Sequence, residues 1–251
     1  MKKYSKPIDL NDLGRSTKWR KEIANDQKLL AGKFFSSCER IKYCPICKCK
    51  ESNHYVDVYE FIYNECVKCG HIFCSTRPSI EKSENLYKAD SDEKSVQAKV
   101  YLDEKLYLKR TKSIAQPKVD YIIKNLPNIK SLNDLKWVDV GSGAGEILSA
   151  CKKKGINAVG IESDPDEAIF ATERGLNVIN KMIDETNSLE IIGDADVVSA
   201  FNVLEHVHDP INFLRNLSLG LNDCIIVFEV PRHPSISSFL NQCFPDQAVA
   251  H

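Results

Sequence analysis

Two groups of residues in this chain have the types and spacing for chemistry, and they are different in kind. Cys44, Cys47, Cys66 and Cys69 form two Cys-x-x-Cys pairs with 18 residues between them. Two knuckles at that separation follow the zinc-ribbon template, in which thiolate pairs at the tips of a hairpin complete a tetrahedral four-sulfur site. A site closed by four thiolates leaves no position for a reacting water, so a zinc ion here is expected to be structural. Gly70, directly after the last cysteine, suits the tight knuckle turn. A redox dithiol is the other reading, but neither pair follows a thioredoxin-like strand. Cys49, Cys74 and His71 remain as spare ligand types.

The second group is downstream. In "WVDVGSGAGEI", Gly141, Gly143 and Gly145 follow an apolar run and open a helical pattern. A ligand that must approach the backbone at the end of a strand needs such residues, because side chains would block it. The dinucleotide fingerprint G-x-G-x-x-G/A would put Glu146 at its last position, where it crowds and repels a pyrophosphate. The spacing is instead G-x-G-x-G, preceded by Asp139. Glu162 ends the next apolar run 23 residues after Asp139, with Ser163 behind it. A carboxylate there accepts hydrogen bonds from both ribose hydroxyls of a nucleoside. A third segment, "AFNVLEHVHDP", puts Asn202 at the end of a strand, facing the ligand, and Glu205 and His206 at the pocket mouth. Histidine is the usual general base near neutral pH. His206 is therefore the candidate base and Glu205 its orienter or a second base; a role in folding or in closing over the ligand is the alternative. His208 and His233 read as exposed loop histidines.

These residues need elements to position them. The run "HYVDVYEFIYNEC" between the cysteine pairs alternates as a small antiparallel hairpin does. From residue 114 the pattern becomes strand alternating with helix. The strands are "KWVDV", "NAVGIES", "NVIN", "ADVVSAF" and "CIIVFEV"; Asp164-Pro165 and Asp209-Pro210 start helices, and Gly155 and Gly175 stop them. This predicts an α/β protein with a Rossmann-like, doubly wound parallel sheet and a small zinc-ribbon-like domain before it. The expected division is a polar leader over 1–43 with one or two helical turns, a zinc-binding domain over 44–80, a helical connector over 81–113 and a ligand-binding domain over 114–251.

Composition narrows the function. The 251 residues are 43% hydrophobic, enough for a packed core. Net charge is -1, which argues against nucleic acid as a partner, although residues 1–43 carry eleven Lys+Arg against five Asp+Glu. No apolar stretch is long enough to span a membrane, and no apolar run follows the first lysines as in a secretory signal. The expected location is cytoplasmic, where thiols stay reduced and disulfides are disfavoured.

"VDVGSGAG" and "GIESDP" resemble the first and second motifs of class I S-adenosylmethionine-dependent methyltransferases, and "AFNVLEHVHDP" resembles the fourth motif of one large branch of them. The resemblance implies S-adenosylmethionine as cofactor, held by Asp139, Gly141, Ser142, Gly143, Gly145, Glu162, Ser163 and Asn202. Zinc knuckles ahead of such a core resemble a bacterial group that includes sugar C-methyltransferases acting on nucleotide-linked deoxysugars. The resemblance covers roughly residues 44–251. It implies C- or O-methylation of a small molecule, a nucleotide-linked sugar or surface-polysaccharide precursor. It also implies that the zinc domain shapes one side of the substrate cleft, with Tyr87, Tyr101, Tyr107 and Arg110 expected to line it. The alternatives are an RNA methyltransferase and a non-catalytic cofactor-binding remnant. Relatives run on into a sixth and seventh strand where this sequence reads "CFPDQAVAH", so the sheet is expected to be incomplete and its open edge to favour self-association.

Overall fold

The computed structural model describes residues 16–35, 38–81, 101–127, 131–184, 186–218 and 224–230. Tyr87, His233 and the segment "CFPDQAVAH", on which the expected incompleteness of the sheet rests, lie outside them.

The leader departs from expectation. Helix α1, Thr17–Phe35, runs for 19 residues, starting where the Ser16 hydroxyl accepts the Trp19 N–H at 3.2 Å. Its buried residues, Trp19, Ile23, Gln27 and Ala31, recur every four positions and so form one stripe. Two of the four are weak apolar signals, which hid the stripe in the sequence. Ala31 packs with Phe61, Tyr59, Tyr63 and Cys74, which pins α1 to the cysteine-bearing unit.

That unit has two small antiparallel sheets. Strands β2 (Ser52–Val58), β3 (Phe61–Cys66) and β4 (Ile72–Cys74) form the expected hairpin and a third strand. Strand β1, Cys38–Arg40, pairs with β5, Thr76–Pro78. Strand pairing therefore begins at residue 38, before the cysteine knuckles. The connector holds helix α2, Glu104–Arg110, capped by Asp103, and helix α3, Gln116–Asn125, opens the domain after it. Between them Thr111–Ala115 form one π-turn, with the Gln116 N–H reaching back five residues to Thr111. The wide turn falls immediately before Pro117, which has no N–H to continue the regular ladder.

The second half is the expected doubly wound fold. Strands β6 (Lys136–Val140), β7 (Asn157–Glu162), β8 (Asn177–Asn180), β9 (Val197–Phe201) and β10 (Ile225–Glu229) are all parallel, in the order β10-β9-β6-β7-β8. Helices α4 (Glu146–Lys152), α5 (Pro165–Glu173), α6 (Ser188–Ile192) and α7 (Pro210–Ser218) cover it. Alternation along β6 divides the core. Trp137 faces α3 and α4 with Ile147 and Ala150, while Val138 and Val140 face α6 and α7 with Ile192 and Leu217. Each such fully buried side chain contributes about 1.5–3 kcal/mol through burial. Among the described residues the sheet ends at β8 on one side and β10 on the other.

One strand glycine sets the spacing between the sheet and the glycine loop. A Cβ at Gly160 in β7 would lie 2.5 Å from Ser142 Oγ and 2.6 Å from Leu148 Cδ1. Gly160→Ala is expected to destabilise the protein by about 1–3 kcal/mol through overpacking, read as a lower urea midpoint. An unchanged midpoint would mean that the loop does not rest on β7.

Candidate functional site

The strand order reverses between β6 and β9. In an open parallel sheet the crevice at such a point, outside the carboxyl ends of the strands, is where ligands bind. The loops following β6 and β9 meet there. A Cβ on Gly141, which has φ +67°, would lie 2.4 Å from Val203 Cγ2, so glycine is required by both conformation and space.

The glycine loop is held to the end of β7. The N–H groups of Gly141 and Ser142 both donate to the Ile161 carbonyl, at 2.8 and 3.1 Å. The Gly143 N–H donates to Glu162 Oε2 at 2.7 Å, and the Asp164 N–H donates to Glu162 Oε1 at 2.8 Å. Asn180 on β8 donates to the carbonyls of Glu162 and Ser163 at 2.8 and 3.2 Å, fixing that strand end. Glu162 thus turns Oε2 to the glycine loop and Oε1 to the residues after β7, and each oxygen keeps lone-pair capacity for a ligand donor. Burial raises the Glu162 pKa, and the N–H groups of Asp164 and Gly143 work against that rise. Glu167 brings Oε2 to 3.2 Å from the Cβ position of Gly143 and is pushed up to about 8 by burial and by the charges of Glu162, Asp164 and Glu146. The rim of the loop therefore crowds carboxyls together, and Glu167 holds its proton at neutral pH.

Two predicted ligand residues face elsewhere. The Ser142 hydroxyl is buried, has no hydrogen-bond partner and lies against the Gly160 position, so any contact of Ser142 with a ligand is through its backbone. Asp139 is 2% exposed and accepts from Ser199 Oγ at 2.5 Å; Ser199 in turn accepts from Trp137 Nε1 at 2.7 Å. Asp139 ties β6 to β9. Gly145 opens α4 with φ +86° and packs against Leu176 and Ala171.

Past β9, Asn202 adopts φ +55° and donates its N–H to the Glu229 carbonyl at 2.8 Å. Leu204–His206 make a single 3₁₀ turn. His206 Nε2 lies 4.0 Å from Glu205 Oε1. Both Glu205 oxygens are buried with no hydrogen-bond partner, and burial together with the nearby Glu229 charge raises its pKa. A buried carboxylate in that condition is poised for a hydrogen-bond donor.

Sequence reasoning missed Lys118. On α3, its Nζ is 2.8 Å from Glu229 Oε1 and 4.7 Å from the Phe201 ring centroid, which brings a cation to the ends of β9 and β10. The signal was a lysine beside the apolar stripe Ala115, Val119, Ile122. Arg110 roofs the start of α4. It donates from Nε to Glu146 at 2.7 Å and from Nη2 to the Tyr101 carbonyl at 2.7 Å, and stacks over the Tyr101 ring. Tyr107 is instead buried edge-on to Phe170 at 5.5 Å, with Arg174 over both rings, and does not line a cleft.

The four knuckle sulfurs lie within 4.8 Å of one another, with Cys44–Cys69 at 3.7 Å and Cys47–Cys66 at 3.4 Å. Zinc–sulfur bonds of about 2.3 Å put tetrahedral sulfurs about 3.8 Å apart, so the donor set and spacing fit zinc. The knuckles repeat each other. Lys48 N–H returns to the Cys44 carbonyl and Gly70 N–H to the Cys66 carbonyl; Lys48 and Gly70 have φ of 58° and 69°. Burial opposes ionisation of Cys66, but the N–H groups of Cys69 and Lys68 outweigh it and lower the thiol to about 6. Cys74 instead donates to the Thr76 carbonyl.

A family model described as a methyltransferase domain matches residues 107–249. Curated relatives include a ubiquinone biosynthesis O-methyltransferase of Colwellia psychrerythraea, 28% identical over 123 residues, covering 47% of this chain and 50% of that one. One with the same name from Methylococcus capsulatus is 39% identical over 85 residues, covering 32% and 36%. The chain thus spans at most about half the length of these relatives. The solved structure of the plantazolicin methyltransferase BpumL, in complex with a pentazolic analogue and SAH, superposes with a TM-score of 0.50 at 19% identity over 68% of both chains, a likeness of fold.

Burial lifts Asp139 from 3.8 to about 7, against the opposing pull of Ser199 and Lys118. The folded state therefore binds a proton that the unfolded state releases, and the stability this group contributes at low pH is lost as pH rises through about 7. Asp139→Asn is expected to remove a slope of roughly 1 kcal/mol per pH unit between those values. Urea unfolding of both proteins across that range measures it; parallel curves would refute it.

Proposed function

The chain belongs to the methyltransferase-domain family, and on that premise we propose that it uses S-adenosylmethionine to methylate a small-molecule acceptor. The observation that carries this reading is Glu162, a carboxylate at the end of the second parallel strand that is hydrogen-bonded to the glycine loop beside the reversal of strand order.

When bound, S-adenosylmethionine supplies a methyl group on a cationic sulfonium, open to displacement by an acceptor nucleophile. Glu162 and Ser163 accept the ribose hydroxyls. The backbone of Gly141, Ser142, Gly143 and Gly145 permits close approach, and Asp139 supports it from beneath. Lys118 and Asn202, at the ends of β9 and β10, would hold the cofactor's methionine portion. Glu205 accepts a hydrogen bond from the acceptor, and His206 takes its proton. Much of the rate enhancement is positioning. The acceptor is a nucleotide-linked sugar or surface-polysaccharide precursor, methylated on carbon or oxygen. This rests on zinc knuckles preceding a methyltransferase core, whereas the curated relatives are named for ubiquinone biosynthesis. The four cysteines hold a structural zinc.

Glu162→Ala is expected to weaken S-adenosylmethionine binding at least about tenfold, since hydrogen bonds to a charged group are worth about 1.5–3 kcal/mol. Glu205→Gln should leave binding unchanged and suppress transfer. Calorimetric titration tests the first, and mass spectrometry for a gain of about 14 Da in sugar-nucleotide pools tests the second; the added mass is that of one CH₂. No heat of binding to the wild-type protein at millimolar cofactor would sink the proposal. Separately, zinc analysis should find about one equivalent per chain and far less in Cys66→Ser. Equal metal in both would dismiss the four-sulfur site.

A further inference from the structure

Arg77 joins the two halves of the molecule. It lies on β5 in the cysteine-bearing unit, and its Nη1 donates to the His208 carbonyl, 2.9 Å away and 131 positions later. His208 is two residues beyond His206, on the segment that carries both candidate catalytic side chains. Arg77 also faces Glu39, its cross-strand neighbour on β1, and Asp209, whose carboxylate accepts the Asn212 N–H at the start of α7. It is half-buried, so its charge is directed into these contacts.

The base that carries Arg77 is rigid. The Ser75 N–H and hydroxyl both donate to the Ile62 carbonyl, at 2.7 and 3.0 Å. Ile62 N–H donates to Thr76 Oγ1 at 2.9 Å, and the Ile41 N–H donates to the Ser75 carbonyl at 2.9 Å. Phe73, just before this corner, packs on Cys44 and Cys66. The segment Arg77 grips has little regular structure of its own, though Val203 packs on the core and Asp209 caps α7 at its two ends. Its 3₁₀ turn is a single one, closed by His206 N–H to the Val203 carbonyl, and its Glu205 carboxylate has no hydrogen-bond partner. A one-turn 3₁₀ element does not hold its own conformation in water.

We propose that Arg77 is a positioning residue: anchored on the cysteine-bearing sheet, it fixes segment 203–209 and thereby the placement of Glu205 and His206. This rests on the methyltransferase reading above. It adds that acceptor chemistry depends on the N-terminal unit more than cofactor binding does, because Glu162 and the glycine loop are held chiefly by β6, β7 and β8, with Val203 touching the loop at Gly141.

The test compares wild-type protein with Arg77→Ala and Arg77→Lys by amide hydrogen exchange, histidine-ring NMR and calorimetric titration of S-adenosylmethionine. In Arg77→Ala, exchange over 203–209 should accelerate at least about tenfold, a factor equal to about 1.4 kcal/mol. The His206 ring signals should shift, and cofactor affinity and zinc content should stay at wild-type values. Transfer to the sugar-nucleotide pool should fall with the exchange change, and Arg77→Lys, which keeps the charge, should restore part of both. Unchanged exchange and ring signals in a folded Arg77→Ala protein would overturn the proposal. So would a loss of cofactor affinity as large as the loss of transfer, which would make Arg77 a general support of the core. If Arg77→Ala does not fold, wild-type exchange over 203–209 in a folded Arg77→Gln protein, which lacks the charge, overturns it. Failure of the wild-type protein to bind S-adenosylmethionine would instead strike the methyltransferase reading, leaving the exchange result to judge Arg77.

Discussion

Inside the sheet, Trp137 donates to Ser199 and Ser199 to Asp139, so that a buried polar chain crosses from β6 to β9. A carboxylate so enclosed is costly to ionise, and only the hydroxyl of Ser199 and the charge of Lys118 offset that cost. The chain holds the two strands together where the strand order reverses. The crevice depends on that adjacency, because it brings Val203 onto Gly141 and sets the turn bearing Glu205 and His206 beside the glycine loop. A polar link specifies one register, whereas apolar packing alone would tolerate several.

Charge around the crevice is arranged by sign. Glu162, Glu167, Asp164 and Glu146 surround the glycine loop, and the other three raise the cost of ionising Glu167. Arg110 neutralises Glu146 from above, and Lys118 brings a cation to the opposite side, beside Phe201 and Glu229. A ligand carrying both a cationic and an anionic end matches this field better than a pyrophosphate does. The same arrangement makes the buried carboxylates of the folded state harder to ionise, so stability is given up where ligand recognition is gained.

The N-terminal unit solves a different problem. Its strands are short and its core is divided into two small clusters, one around Ala31 and Phe61 and one around the cysteines and Phe73. Chains of that size need a staple. The paired knuckles converge four sulfurs for it, and α1 closes the other side. Lys48 occupies in one knuckle the left-handed position that Gly70 fills in the other, which shows the turn geometry to be required there despite its cost to a side chain.

Much of this was legible in the sequence for a physical reason: it depends on local order. The knuckle spacing, the glycine loop, the proline-and-aspartate helix starts and the alternation of strand and helix are all set within a few residues. They determined the fold class, the four-sulfur set and Glu162. The long α1 was hidden because its buried stripe includes Gln27 and Ala31, which carry little hydrophobic signal. What only the tertiary structure decided involves partners far apart in the chain. Lys118 meets Glu229 across 111 positions, Asp139 meets Ser199 across 60, and Arg77 meets His208 across 131. The hydrogen bond that turns Asp139 inward and the contact that places Arg77 at the segment bearing Glu205 and His206 arise only once the sheets bring distant strands together, and no local pattern encodes which strands those are.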